Sequence, residues 1–563
     1  MPSLEVSRGG DGDADGDGKA EKIENCSTTV RSRESVAVIG SGMAGLVAAH
    51  LLQRDGKGRF NVEVLEMQDR LSLDSASYTL PKSGLSSKGG ERGGDESSSA
   101  SVSSAEYEKG ERCQESDDRR VDLPMRAFAA GYYDNLRRMY AYLGVGFGEP
   151  RFVHSVSSLA DSTEENGKGD NQARAYFIHS SNNHILPPIR PDNVGFARWV
   201  IEVLYLLFWY AWFTAACFWV QPLSAIKKRE QGQVKQDLST GTGETLLSYI
   251  TRIHLPKYYT DRYFLPLMSS ITTCTHDQLL GFPASDIIGY ARATYRQPHY
   301  TITRGVKQAE EKLSAGLKVR FNTRVTEVKT LESGKVRVSW RNTTSSTQDP
   351  EKENPNEDET KEFDRVIIAT TPDVVGSIFS PLSSKMESIP TTSVSTVVHR
   401  DFSRIGSIST SLAQKQRLQK RRIKTFDAAS SFSAEFSSEK TMPLTAMYMV
   451  TDAAGTRTES IHEHPANVLV TTYAFENGID EEKILHRVRF TRVLRSSASR
   501  DVVNALFSGR SGAEKDSNSE GWKNGDGNVH LVGGWCWDGM VLLEGCIVSA
   551  MRVAGELGVD VPW

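Results

Sequence analysis

Six residues, Gly40-Ser41-Gly42-Met43-Ala44-Gly45, have the types and spacing to hold a diphosphate on bare backbone. Gly40 allows a tight turn, Gly42 lets the chain approach a pyrophosphate, and Gly45 lets the following helix lie close to the preceding strand. That chemistry needs neighbours on both sides. Val36 to Ile39 is a short apolar run suited to a buried parallel strand. A helix is expected from Met43 to about Arg54, with its first N–H groups and the positive end of its dipole aimed at the phosphates. A second strand is expected over Phe60–Leu65, and Glu66 follows it, 21 residues beyond Gly45. A carboxylate there accepts hydrogen bonds from both ribose hydroxyls of an adenosine, and it argues against the 2′-phosphate of NADP.

A second stretch of the same kind lies at 527–559, "GNVHLVGGWCWDGMVLLEGCIVSAMRVAGELGV". It reads as a strand over Val529–Val532, a Gly533-Gly534 turn and a helix from about Leu543 to Leu557. Gly545, Cys546, Ser549, Ala550 and Ala554 recur on helical spacing, so this helix can pack close to something flat. Asp538 and Glu544 fall near its start, where a carboxylate can cap free N–H groups. His276 and His299 stand alone in the sequence and are expected to be surface or hydrogen-bonded histidines rather than bases.

Together these stretches resemble the large FAD-binding oxidoreductases that include flavin-containing amine oxidases, phytoene-type desaturases and protoporphyrinogen oxidase. The likeness extends to 121–145, 263–293, 300–329 and 363–375 and is greatest to a branch of amine-oxidase-like NAD/FAD-binding proteins. It implies an α/β fold, with a Rossmann-like FAD-binding domain carrying the GxGxxG βαβ unit and a second α+β substrate lobe. It also implies that the last strand and helix return to the first βαβ unit, with the helix N-terminus at the flavin end. Gly534 and Glu544 thereby join Gly40, Ser41, Gly42, Met43, Ala44, Gly45 and Glu66 as expected cofactor residues, and the backbone at Val325 would contact the adenine side. The implied activity is hydride abstraction from a C–N or C–C bond of an apolar small molecule, with FAD carrying the chemistry and no catalytic acid or base named. A carotenoid- or lipid-type desaturase or isomerase is the alternative enzyme, and a non-catalytic, nucleotide-stabilised membrane-surface protein is the alternative from another class. Three departures motivate the last: Arg70-Leu71-Ser72-Leu73 where the family usually has Arg-x-Gly-Gly, Arg304-Gly305 where a glycine pair is common, and Gly534-Trp535 where amine oxidases usually have Gly-Glu. Cys536 is read as a packing residue between Trp535 and Trp537 rather than a covalent flavin link.

These elements must be held by a chain of 563 residues, of which much is too polar to pack. Residues 1–34 and 81–120 are expected to be a disordered tail and a disordered insertion. The FAD-binding domain is expected from 35–80, 121–150, 300–400 and 525–560, and the substrate lobe from 174–299 and 440–495. A net charge of −4 without a dominant basic face gives nucleic-acid binding no electrostatic support, and no nucleic-acid partner is expected. The basic run 415–424 is read as a solvated loop. Six cysteines without a CxxC pair argue against a disulfide scaffold and against a structural metal. The N-terminus shows no secretory signal, so a reducing compartment, on the cytosolic side, is expected.

One segment fits none of this. Residues 199–222 carry a single charge, Glu202, and nine of the 24 residues are aromatic. The length suits a bilayer span. If 36–66 and 529–557 close one domain, however, a single crossing between them is topologically excluded. The segment is therefore expected either to lie in one leaflet as a monotopic helix, flanked by Arg198 and Lys227-Lys228-Arg229, or to be buried as a wall of a lipophilic pocket. The expected partners are a small apolar substrate and a membrane surface reached through 199–222.

Overall fold

The run Val36–Ile39 is apolar at every position because both of its faces are covered. In the computed structural model it belongs to β1 (Glu34–Ile39), and Val36, Ala37 and Val38 are fully buried. The structure describes residues 33–72, 77–81, 120–123, 127–159, 173–180, 188–223, 243–303, 305–343, 358–406, 444–476, 478–507 and 521–563. The expectations for most of the tail, for most of the 81–120 insertion and for 415–424 fall outside the described residues; Glu34, assigned to the tail, opens β1 instead.

β1 pairs in parallel with β2 (Phe60–Leu65) on one side. On the other it pairs with a strand that follows much later, and five strands complete the sheet: β1, β2, β3 (Lys318–Arg320), β4 (Arg365–Ile368) and β5 (Val529–Leu531). Their spatial order is β3-β2-β1-β4-β5, all parallel. The chain winds outward from β1 first to one edge and then to the other, so the winding reverses between β1 and β4. Doubly wound sheets bind ligands at that reversal, beyond the carboxyl ends of the strands.

Seven helices matter below: α1 (Met43–Gln53), α2 (Asp134–Tyr142), α3 (Phe196–Trp219), α4 (Leu246–Arg252), α5 (Leu265–Thr272), α6 (Ala284–Thr294) and α7 (Leu543–Glu556). Alternate residues of the sheet feed two cores. Val36, Val38, Val62 and Val64 pack against α1 and α7 on one face. Ala37, Ile39, Leu65, Val366 and Ile368 pack on the other against the antiparallel strands 323–330, 336–342 and 359–363 and the helix at 372–378.

The second lobe is built on a seven-stranded sheet in the order 484–493, 391–399, 468–472, 458–464, 444–451, 151–159, 173–180. Its pairs are antiparallel except for 444–451 with 151–159. The expected domain limits need correcting here. Thr391–His399, assigned with the nucleotide domain, pairs with 468–472 and 484–493, and Arg151–Leu159, assigned to neither, lies inside this sheet. The physical reason is visible in "TTSVSTVVH": polar and apolar residues intermix as in half-buried antiparallel strands, unlike the near-continuous apolar runs of β1 and β4.

α3 covers the apolar segment. Among the described residues it is the one helix long and apolar enough to cross a membrane. Among the described residues, its buried side chains are Phe213, Ala216 and Cys217, on one side of the helix.

Candidate nucleotide-binding site

The glycine turn closes on the reversal point. Gly40 has φ +98°, a conformation open to glycine at little cost, and a Cβ there would stand 2.9 Å from the Ala369 carbonyl oxygen. A Cβ on Gly45 would stand 2.1 Å from the Gly40 carbonyl oxygen and 3.0 Å from the Ala369 Cβ, so α1 can approach β1 and β4 this closely with glycine alone. Gly42 differs, because nothing lies within 4 Å of where its Cβ would be. It is the N-cap of α1, with φ −64° and ψ 173°, no side chain caps the helix, and its first turn holds no acid. Met43 and Ala44 bury their side chains in the core beneath and leave only backbone facing the opening. An uncapped helix N-terminus over open space has free N–H groups and a positive dipole end to offer an anion.

Glu66 leaves β2 at the neighbouring strand end and is 6% exposed. One carboxylate oxygen accepts from Ser41 N at 2.9 Å and Ser41 Oγ at 2.6 Å, and the other accepts from Gln68 N at 3.0 Å. Ser41 Oγ in turn accepts from Ser72 N at 2.9 Å. Three donors on two oxygens leave acceptor capacity for a hydroxyl-bearing ligand. The backbone of Glu66 is tied to the start of the strand at Thr323–Thr330, through Glu66 N to Arg320 O and Thr323 N to Glu66 O, both 2.8 Å. Val325 follows two residues on, at a β-bulge and half-buried against the second core. Of the three departures, Ser72 is thus drawn into the Ser41–Glu66 network, while Leu73 and Arg304 lie outside the described residues.

The closing segment returns beside this site. β5 lies next to β4, and α7 packs on α1. A Cβ on Gly534 would meet the Leu542 carbonyl oxygen at 3.1 Å. One on Gly545 would meet Trp537 Nε1 at 2.4 Å and the Gly534 carbonyl oxygen at 2.5 Å. The flat partner foreseen for the small residues of α7 is therefore, at Gly545, an indole. Trp535 is core, donating from Nε1 to Thr370 O at 3.0 Å. Trp537 is half-buried and donates to Met540 O at 3.0 Å. Burial pushes the Cys536 thiol well above its ordinary range, so it stands as a packing thiol.

Glu544 reaches the start of a second helix. One oxygen accepts from Asn135 N at 3.0 Å and Asn135 Nδ2 at 2.7 Å, and the other from Leu136 N at 3.0 Å. The carboxylate thus caps α2, whose N-cap Tyr133 makes no side-chain cap of its own. Burial raises its pKa against the pull of those N–H groups. His276 is hydrogen-bonded to Gly455 O and Thr458 Oγ1, and His299 lies exposed on the strand 299–302.

Two features carry no signal in the sequence. Arg495 is buried, and its Nη2 donates to the carbonyl oxygens of Trp535 at 3.3 Å, Trp537 at 2.8 Å and Gly539 at 2.9 Å, clamping the loop before α7. Its Nε lies 3.6 Å from the buried Asp286 carboxylate of α6. Beside the loop, the ring of Tyr132 lies 4.9 Å from that of Tyr290 and 5.9 Å from that of Trp537. Tyr132 also donates to Met540 O at 3.4 Å. Aromatic rings from three separated segments thus pack together beside the closing turn.

The sequence matches the family described as flavin containing amine oxidoreductase over residues 227–558, and an NAD(P)-binding Rossmann-like domain over 38–90. No curated protein matches the chain. Among solved structures, the fold is similar to a CLA-producing fatty acid isomerase from P. acnes, with a TM-score of 0.50, 10% identity, and coverage of 93% of this chain and 98% of that one. A putrescine oxidase triple mutant redesigned in its cofactor binding gives 0.48 at 12% identity over 93% and 98%. The wild-type putrescine oxidase bound to putrescine gives 0.47 at 11% over 94% and 99%.

Proposed function

The chain belongs to the flavin-containing amine oxidoreductases, and from that premise we propose that its flavin is FAD and that it oxidises an apolar small molecule. The observation that carries the FAD assignment is the pairing of two sites at one sheet edge: open space at Gly42 over the uncapped N-terminus of α1, and the buried Glu66 carboxylate at the end of β2. The first suits a pyrophosphate and the second an adenosine ribose, which FMN lacks. In this reading the backbone of Gly40–Gly45, with Ser41 Oγ alongside, receives the diphosphate. Glu66 holds the ribose hydroxyls, the backbone near Val325 meets the adenine, and the Gly533-Gly534 turn borders the flavin end.

Bound flavin supplies a hydride acceptor. The chain's own residues orient and desolvate the substrate: the Tyr132, Tyr290 and Trp537 rings form an apolar, water-excluding wall, and Arg495 fixes the loop that carries Trp537. That wall supports an apolar substrate.

Purification of the full chain tests the reading. Acid should release FAD from a yellow protein, whereas a folded, colourless protein, or one releasing FMN, overturns the assignment. Anaerobic bleaching by amines supports C–N oxidation; bleaching by unsaturated lipids alone moves the reaction to C–C bonds.

A further inference from the structure

We infer that α3 docks the protein onto one leaflet of a lipid bilayer, lying in the plane of the surface. The helix has two apolar faces. The inner one is bound to the protein along its length. Tyr258 and Tyr263 donate to Glu202, the single acid in the helix, while Trp212, exposed at the margin of the two faces, donates from Nε1 to Ile253 O at 2.9 Å. Tyr249 of α4 donates to Ala216 O at 3.0 Å and Val220 O at 2.9 Å, and Arg292 of α6 donates to Cys217 O. The outer face recurs at helical spacing and is exposed: Ile201 at 68%, Leu204 at 62%, Phe208 at 61% and Trp219 at 84%, with Leu207 and Phe218 between them. From 199 to 223 none of the exposed residues is charged. A helix apolar all round has to be covered on both sides, and here protein covers one.

The features of the outer face select lipid as the cover. Tryptophans stand at the exposed edge and C-terminal end, where an indole favours the boundary between headgroup and hydrocarbon. Arg198 is exposed in the first turn, in reach of lipid phosphates. A protein partner would call for polar groups around the rim, and this stripe offers few. A crossing is ruled out by the fold itself, because β1 precedes α3, β5 follows it, and both lie in one sheet.

The full chain should float with phosphatidylcholine vesicles, remain bound in high salt, and bind somewhat better when phosphatidylserine is added. The exposed triple variant Ile201→Ser, Leu204→Ser, Trp219→Ser should lose at least about tenfold in vesicle partitioning while keeping its melting temperature and bound flavin. Tags placed at the two ends should both be cleaved by protease added outside sealed vesicles. Wild type left at the bottom of the gradient overturns the inference, as does a variant that floats equally well. Protection of one tag overturns the in-plane geometry. A lipid-independent dimer that the triple variant dissociates, with no flotation, reassigns the face to a second copy. Flavin content, measured in parallel, reports on the nucleotide site and is independent of all these outcomes.

Discussion

Gly42 is the position where a side chain would fit the protein and exclude the ligand. Its backbone angles suit any residue and the space around it is open, so Gly42→Leu should fold and melt at the temperature of wild type stripped of flavin. Bound flavin should fall by at least about tenfold, which is ~1.4 kcal/mol, measured as the ratio of flavin to protein absorbance. Glu66→Gln should likewise weaken flavin retention, since a neutral amide accepts less well and turns an N–H toward Ser41 or Gln68. The loss should be about 1.5–3 kcal/mol, the worth of a hydrogen bond to a charged group, read by equilibrium titration. The tight turn at Gly40 and the close helix–strand packing at Gly45 were legible in the sequence because each follows from a local steric rule. The partner of Glu544 was not. It lies 409 residues away on α2, and no spacing rule reaches that far. Arg495 was missed for the same reason, because its acceptors are the carbonyls of a distant loop.

At the level of elements, the two junctions around α7 are open to test. Glu544→Ala leaves the Asn135 and Leu136 N–H groups without their acceptor and should cost about 1–3 kcal/mol in chemical denaturation. Gly545→Ala forces a Cβ into the Trp537 indole and the Gly534 carbonyl, so α7 must shift away from the closing turn. Flavin content should fall with it, while Gly555→Ala, on the same helix with open space around it, should leave flavin unchanged. The strands and helices themselves were readable. α1 ends one residue before the expected Arg54, β2 matches Phe60–Leu65, and α7 begins at Leu543. Sheet membership was less so. Thr391–His399 states in its pattern that it is a half-buried strand, but not which of two sheets completes it.

Across the whole molecule, the second lobe carries a built-in acid sensitivity. Burial lowers His154 and His399 to about 4 and His462 to about 3, so the folded sheet holds these rings neutral. The unfolded chain protonates them below about pH 6.5, the folded protein resists, and stability must fall as pH drops from there toward 4. Denaturant midpoints taken along that range should decline, and His462→Leu should flatten the curve. The molecule also holds a buried charge pair, Asp286 with Arg495, and Asp286→Ala should cost about 3–5 kcal/mol by stranding the guanidinium, read as a lowered melting temperature. The sheet order β3-β2-β1-β4-β5 has a further consequence, for biosynthesis. A ribosome delivers β1 and the glycine turn early, yet their sheet stays two strands short until β4 and β5 have emerged. Nascent chains arrested before residue 529 should therefore present a sticky, half-finished sheet to chaperones and take up no cofactor, so loading waits for release.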